Sequence, residues 1–100
     1  MEKLKPHYDL ASVQALVVEL GVLALTKTAI DGARALGLTS SDALAIVAGL
    51  SRRDFYKSMT TFADSRIWQD VYHAPLPDRR VAYVKLCFVA DRPVIQFKEK

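Results

Sequence analysis

Leu10, Val13, Leu16, Val17 and Leu20 recur at the spacing of one helical face and are followed by Gly21, which predicts a first helix over residues 10–20. Ala29, Ile30, Ala33 and Leu36 mark a second, from about residue 27 to 36. An internal echo comes next, "GLTSSD" at 37–42 and "GLSRRD" at 49–54, offset by twelve residues. Each string reads as one helix ending and another beginning. Gly takes the left-handed position past the last turn, Leu38 or Leu50 staples the entry, Thr39 or Ser51 caps it, and Asp42 or Asp54 reaches back to close a capping box. The boxes predict a short third helix, about 40–48, and a fourth from 52 to about 60, with Phe55, Met59 and Phe62 as its buried stripe.

The period then changes to two. "RIWQDVY", "RVAYVKLCFV" and "VIQFK" are rich in Val, Ile, Phe, Tyr and Trp, and "ADRP" makes a short turn between the last two, so they read as strands ending in an antiparallel hairpin. Helices first and strands afterwards indicate an α+β fold, with N-terminal helices packed on one face of a C-terminal antiparallel sheet. In the long strand Val84, Leu86 and Phe88 share one face, and Tyr83, Lys85 and Cys87 the other. In the last strand Ile95 and Phe97 oppose Val94, Gln96 and Lys98. If the apolar sets face the helices, Tyr83, Lys85, Gln96 and Lys98 lie together on the open face. Gln69 joins them from the first strand, with Trp68 and Tyr72 turned the other way. A one-sided sheet keeps a polar outer face without any function, so alternation alone assigns none.

One hundred residues, 51% of them apolar, supply one core and hence one folded unit over 1–100. Residues 1–50 carry four Lys/Arg against five Asp/Glu, and residues 51–100 carry ten against six, giving the net charge of +3. A basic C-terminal half suits a phosphate-bearing partner, and equally a merely solvated surface. Cys87 stands alone and is read as structural. With His7 and His73 far apart in sequence there is no zinc-binding pattern, and neither metal nor cofactor is implied. The opening residues lack the apolar core of a signal peptide and no run is long enough to span a membrane, which makes the cytoplasm the expected location.

Lys57 points away from the apolar stripe of the expected fourth helix, with Arg53 one turn before it, an arrangement that costs little and suits a phosphate. The surrounding run is specific. "GLSRRDFYKSMTTFADSRIWQDVY" at 49–72, with the closing "FKEK" at 97–100 and the opening "MEK" and "PH", resembles the MqsR family of bacterial toxins. The resemblance is dense over 49–72 and loose in the first two helices and from 74 to 80.

It implies a branch of the RelE-like fold and an endoribonuclease that cuts messenger RNA at GC-containing sites without a ribosome. It further implies an antitoxin partner of two domains, one zinc-binding and one a helix-turn-helix that binds operator DNA. By motif, the family's functional residues fall on Lys57, Gln69, Tyr83 and Lys98. Phe62 stands where the family has a tyrosine, so a hydroxyl there is dispensable.

The chemistry implied is attack of a 2′-hydroxyl on the adjacent phosphate, leaving a cyclic phosphate and a 5′-hydroxyl. It requires a proton acceptor, a proton donor and positive charge. Lys57 and Lys98 are the candidates for charge, Tyr83 for proton transfer or positioning, and Gln69 for a hydrogen bond to phosphate or base. Arg53, Tyr56 and Lys85 are candidates for binding the substrate, Tyr56 as a stacking platform and Lys85 as a bystander on the RNA backbone. An ordinary lysine or tyrosine is a poor base at neutral pH, so either cations lower its pKa or it acts by charge and position. His73, placed in a turn after the first strand, reads as an inert turn histidine, with a role as the missing acid or base as the alternative. The rival reading is a non-catalytic module that binds RNA or protein; direct DNA binding is not expected, since no basic recognition helix is evident.

Overall fold

The computed structural model describes all residues, Met1–Lys100. Three helices precede most of the sheet: α1 (Leu10–Leu20), α2 (Lys27–Ala35) and α3 (Ser40–Ala48), with a 3₁₀ turn at Gly21–Ala24. The strands are β1 (Glu2–Lys3), β2 (Phe55–Thr60), β3 (Trp68–Pro75), β4 (Val81–Val89) and β5 (Arg92–Glu99). They form one five-stranded sheet in the order β1-β2-β3-β4-β5, with every neighbouring pair antiparallel. The α+β architecture expected from the periodicity is present, and the three predicted helices start at or within a residue of their expected positions.

Local chemistry explains the helix starts. Asp9 caps α1 by accepting from the Ser12 amide, Thr26 caps α2 through Ala29, and Thr39 with Asp42 closes a complete capping box on α3. One side of each helix is buried on the sheet. Val13 and Val17 of α1, Ala29 and Ala33 of α2, and Ala43 and Val47 of α3 meet Tyr72, Val84, Leu86, Ile95 and Phe97 in one core.

The expected fourth helix does not form. Half of its capping box forms, the Asp54 carboxylate accepting from the Ser51 amide at 2.9 Å, but the helical turn lasts only Arg52–Asp54 before the backbone extends at Phe55, ψ 131°. Residues 55–60 become β2, paired on both sides by β1 and β3. Aromatic residues and hydroxyls have weak helix propensity, and a strand here satisfies both edges of β3's neighbour with backbone hydrogen bonds. The strand carries a β-bulge: Phe55 pairs with Tyr72 and Lys57 with the next residue, Val71, so Tyr56 is extra and Phe55 and Met59 fall on opposite faces. Phe55 consequently packs edge-on to the Tyr72 ring on the helix side, at 5.5 Å between centroids. Met59 faces the opposite way, and Phe62, expected in the buried stripe, is fully exposed.

Two attachments hold the sheet in place. Asp70, 1% exposed, accepts hydrogen bonds from the His7 and Tyr8 amides at 2.9–3.0 Å, and the Tyr8 hydroxyl donates to the Trp68 carbonyl at 2.7 Å. These bonds fix the N-terminal segment on β3 and bring β1 alongside β2. On the other side, α2 lies directly on β5. The Thr26 hydroxyl donates to the Ile95 carbonyl at 3.1 Å, and a β-carbon at Gly32 would sit only 2.0 Å from the Phe97 carbonyl oxygen.

Candidate active site

The helices cover one face of the sheet, and the strand pleat sends the alternate residues to the other. Two rows of side chains cross that open face. Lys57 of β2, Val71 of β3, Lys85 of β4 and Gln96 of β5 are successive cross-strand partners; the next row holds His73, Tyr83 and Lys98. Tyr83 and Lys98 are therefore direct neighbours across the hairpin, as the alternation predicts. The bulge adds Tyr56 to this face beside Lys57, because at a bulge consecutive residues escape strict alternation. Tyr56, Lys57, Met59, Val71, Tyr83, Lys85, Lys98 and Glu99 together line a cavity of about 350 Å³.

Three of the sequence candidates, Gln69, Arg53 and His73, do not line the cavity. Gln69 shares the face, but it stands one pleat away opposite Met59 and does not line the hollow. Arg53 is not brought to the site at all. With the fourth helix absent, its supposed one-turn relation to Lys57 disappears, and it borders a separate hollow between α3 and the end of β3, with Ile46, Leu50 and Ala74.

Lys57 is far from merely solvated. Its side chain is 23% exposed, and its ammonium donates to the Glu2 carboxylate at 2.9 Å while lying 5.3 Å from the centre of the Tyr56 ring. The hydrogen bond to Glu2 raises the lysine pKa above its ordinary value and, with the charge of Lys57, lowers that of Glu2. A lowered pKa, one of two alternatives for a lysine base, is therefore the opposite of what the Glu2 bond favours at Lys57. It is found at Lys85, where burial first, then the charges of Lys98 and Lys57, push the pKa down.

His73 lies within β3, not in a turn. Its ring stacks on Tyr56 at 4.4 Å and is tilted against Tyr83 at 4.9 Å, so the three form an aromatic row behind the lysines. Burial lowers its pKa, with Lys100 adding to the effect, and its Nε2 is buried without a hydrogen-bond partner. Cys87 is buried and its thiol pKa is raised by burial, which disfavours the thiolate a nucleophile needs. Nowhere are three His, Cys, Asp or Glu side chains grouped to hold a metal ion, and no single helix is long and apolar enough to cross a membrane.

Residues 5–99 match the family described as motility quorum-sensing regulator, toxin of MqsA. The chain belongs to the MqsR toxin family. It is also 43% identical over 100 residues, the whole of both chains, to the mRNA interferase toxin MqsR of Escherichia coli strain K12. Sequence reasoning missed Glu2, Met59, Val71 and Glu99 as neighbours of the cations. Alternation from Gln69 through Val71 reaches His73 and could have placed it; nothing local announces a pairing between Glu2 and Lys57.

Proposed function

We propose that this protein is the toxin of a toxin–antitoxin pair and an endoribonuclease that cleaves single-stranded messenger RNA at GC-containing sites, without a ribosome and without a metal ion. The observation that carries the reading is the convergence of three lysines and two tyrosines on one cavity in a member of the MqsR toxin family. The E. coli relative is named an mRNA interferase.

The RNA 2′-oxygen attacks the adjacent phosphorus, the bond from phosphorus to the 5′-oxygen breaks, and the products are a 2′,3′-cyclic phosphate and a 5′-hydroxyl. Lys57 and Lys98 flank the hollow with positive charge for the phosphorane-like transition state. Tyr83, directly opposite Lys98, is placed to move a proton or hold the phosphate. Gln69, one pleat beyond the cavity, anchors the flanking nucleotide by a hydrogen bond. Tyr56, 47% exposed, offers a ring face on which a base can stack. The cognate partner is an antitoxin, a two-domain protein whose zinc-binding part grips the toxin and whose helix-turn-helix part binds DNA. The fold is a RelE-like branch, and the site of action is the cytoplasm.

Incubating the chain and its Lys98→Ala variant with a defined RNA containing GC steps, in excess EDTA, tests the proposal. Cuts at GC with cyclic-phosphate ends, lost in the variant, are the expected result. A folded protein that retains RNA but leaves it uncut would make it a binding module instead.

A further inference from the structure

Three ammonium groups around one small cavity cannot all serve the same purpose, and the structure distinguishes them. Lys57 is committed to the Glu2 carboxylate at 2.9 Å. Lys98 lies at the exposed end of β5, on the rim. Lys85 projects from β4 into the space between them, partly buried, with no carboxylate within ion-pair distance. Its charged and titratable surroundings are Tyr56 and Lys57 from β2, His73 from β3, Tyr83 from its own strand, and Lys98 and Glu99 from β5. Two of these are cations, and the nearest carboxylates are engaged with Lys57 or sit exposed at the edge. An ammonium in that position is disfavoured by its neighbours and by lost hydration.

We infer that Lys85, as the neutral amine, is the proton acceptor for the attacking 2′-hydroxyl. The inference rests on the nuclease reading and gives that site its missing base. The step balances within β4. As the bond between the 2′-oxygen and phosphorus forms, the hydroxyl proton passes to Lys85 Nζ. As the bond from phosphorus to the 5′-oxygen breaks, the Tyr83 hydroxyl protonates the leaving oxygen. Lys85 and Tyr83 are two residues apart on the same face of one strand, about 7 Å by strand geometry, so the new ammonium returns its proton to the tyrosinate through water and both groups are restored. His73 cannot substitute, because its free Nε2 is buried and its ring is absent from the cavity wall. Direct attack assisted by Lys57 is opposed by the Glu2 bond that keeps it protonated.

The test is a comparison of wild type, Lys85→Arg and Lys85→Ala under single-turnover conditions across pH 6 to 10, a span of about four units around the ordinary lysine and histidine ranges, in EDTA. Affinity is measured in parallel with an RNA carrying a 2′-methoxy group at the cut site. Arginine keeps the charge and the hydrogen-bond donors but accepts no proton at these pH values. Lys85→Arg is expected to bind the blocked RNA within about twofold of wild type and to cut about 10²- to 10⁴-fold more slowly. The wild-type rate should rise with pH to a plateau, and Lys85→Ala should recover cleavage when a small primary amine is added, in proportion to its free-base form. Lys85→Arg cutting within about tenfold of wild type with an unchanged pH profile, a fold-change of one decade in rate, overturns the assignment while leaving the nuclease intact. Should Lys85→Arg fail to fold, Lys85→Ala without amine rescue overturns it equally. Wild type that cuts nothing overturns both readings together.

Discussion

At the scale of single residues, burial and partners settle what each polar group contributes. His73 illustrates this most directly, since its imidazole is held between two tyrosine rings with one nitrogen unpartnered. Its pKa is lowered in the folded protein, mainly by burial, so the unfolded chain binds the proton more readily. The stability His73 contributes is therefore complete above the unfolded value of about 6.5 and is lost as pH falls below it toward the folded value. Urea midpoints measured between pH 7.5 and 5, about a unit either side of that value, should fall in wild type and fall less in His73→Phe. Parallel curves for the two proteins would refute this. The same scale shows what the sequence makes legible. Tyr83, Lys85 and Lys98 are found by alternation because strand pleating is local and has a fixed period. The Glu2 and Lys57 pair is invisible, because it joins residues 55 positions apart and depends on Asp70 first clamping the N-terminal segment.

At the scale of elements, the caps are the most readable signals, and they also mislead. Thr39 and Asp42 begin α3; the equivalent Ser51 and Asp54 begin a turn that ends after three residues. A capping box specifies where a helix can start, and only the residues after it decide whether it continues. The strand that follows was hidden because its bulge breaks the period of two on which strand recognition relies. The packing of α2 on β5 shows how an element far from the chemistry sets the site. Gly32 allows the helix backbone to rest on the Phe97 carbonyl, and the residue after Phe97 is Lys98. Gly32→Ala forces backbone apart from backbone, with an expected loss of about 1–3 kcal/mol from overpacking, even though alanine is the better helix former. Thermal denaturation reads this, and a variant as stable as wild type would show that the helix can shift freely.

At the scale of the whole molecule, the charge asymmetry along the sequence becomes an asymmetry through its thickness. The near-neutral N-terminal half supplies the helical layer, and the basic half supplies most of the sheet. Within overall dimensions of 33 × 26 × 24 Å, the lysine-bearing face is turned away from the helices. The division into N-terminal helices and a C-terminal antiparallel sheet and the orientation of the last hairpin were legible, since each follows from a repeating pattern. The absence of Arg53 from the site was not, because it depends on a helix that the completed sheet replaces.

The bulge in β2 has one more consequence, for how the chain tolerates loss of a residue. Removing a residue from inside a strand normally turns every following side chain to the wrong face. Here Tyr56 is the supernumerary position, and deleting it leaves Phe55 opposite Tyr72 and Lys57 opposite Val71, which is a regular ladder. A chain lacking Tyr56 is expected to fold with Lys57 still beside the cavity, but without the stacking ring, so its affinity for single-stranded RNA should drop about 10-fold or more. Deletion of Ser58, two residues on, should instead abolish the sheet. Circular dichroism of the two shortened chains separates these outcomes: the extra residue of the bulge is a position the ladder can lose without changing its register.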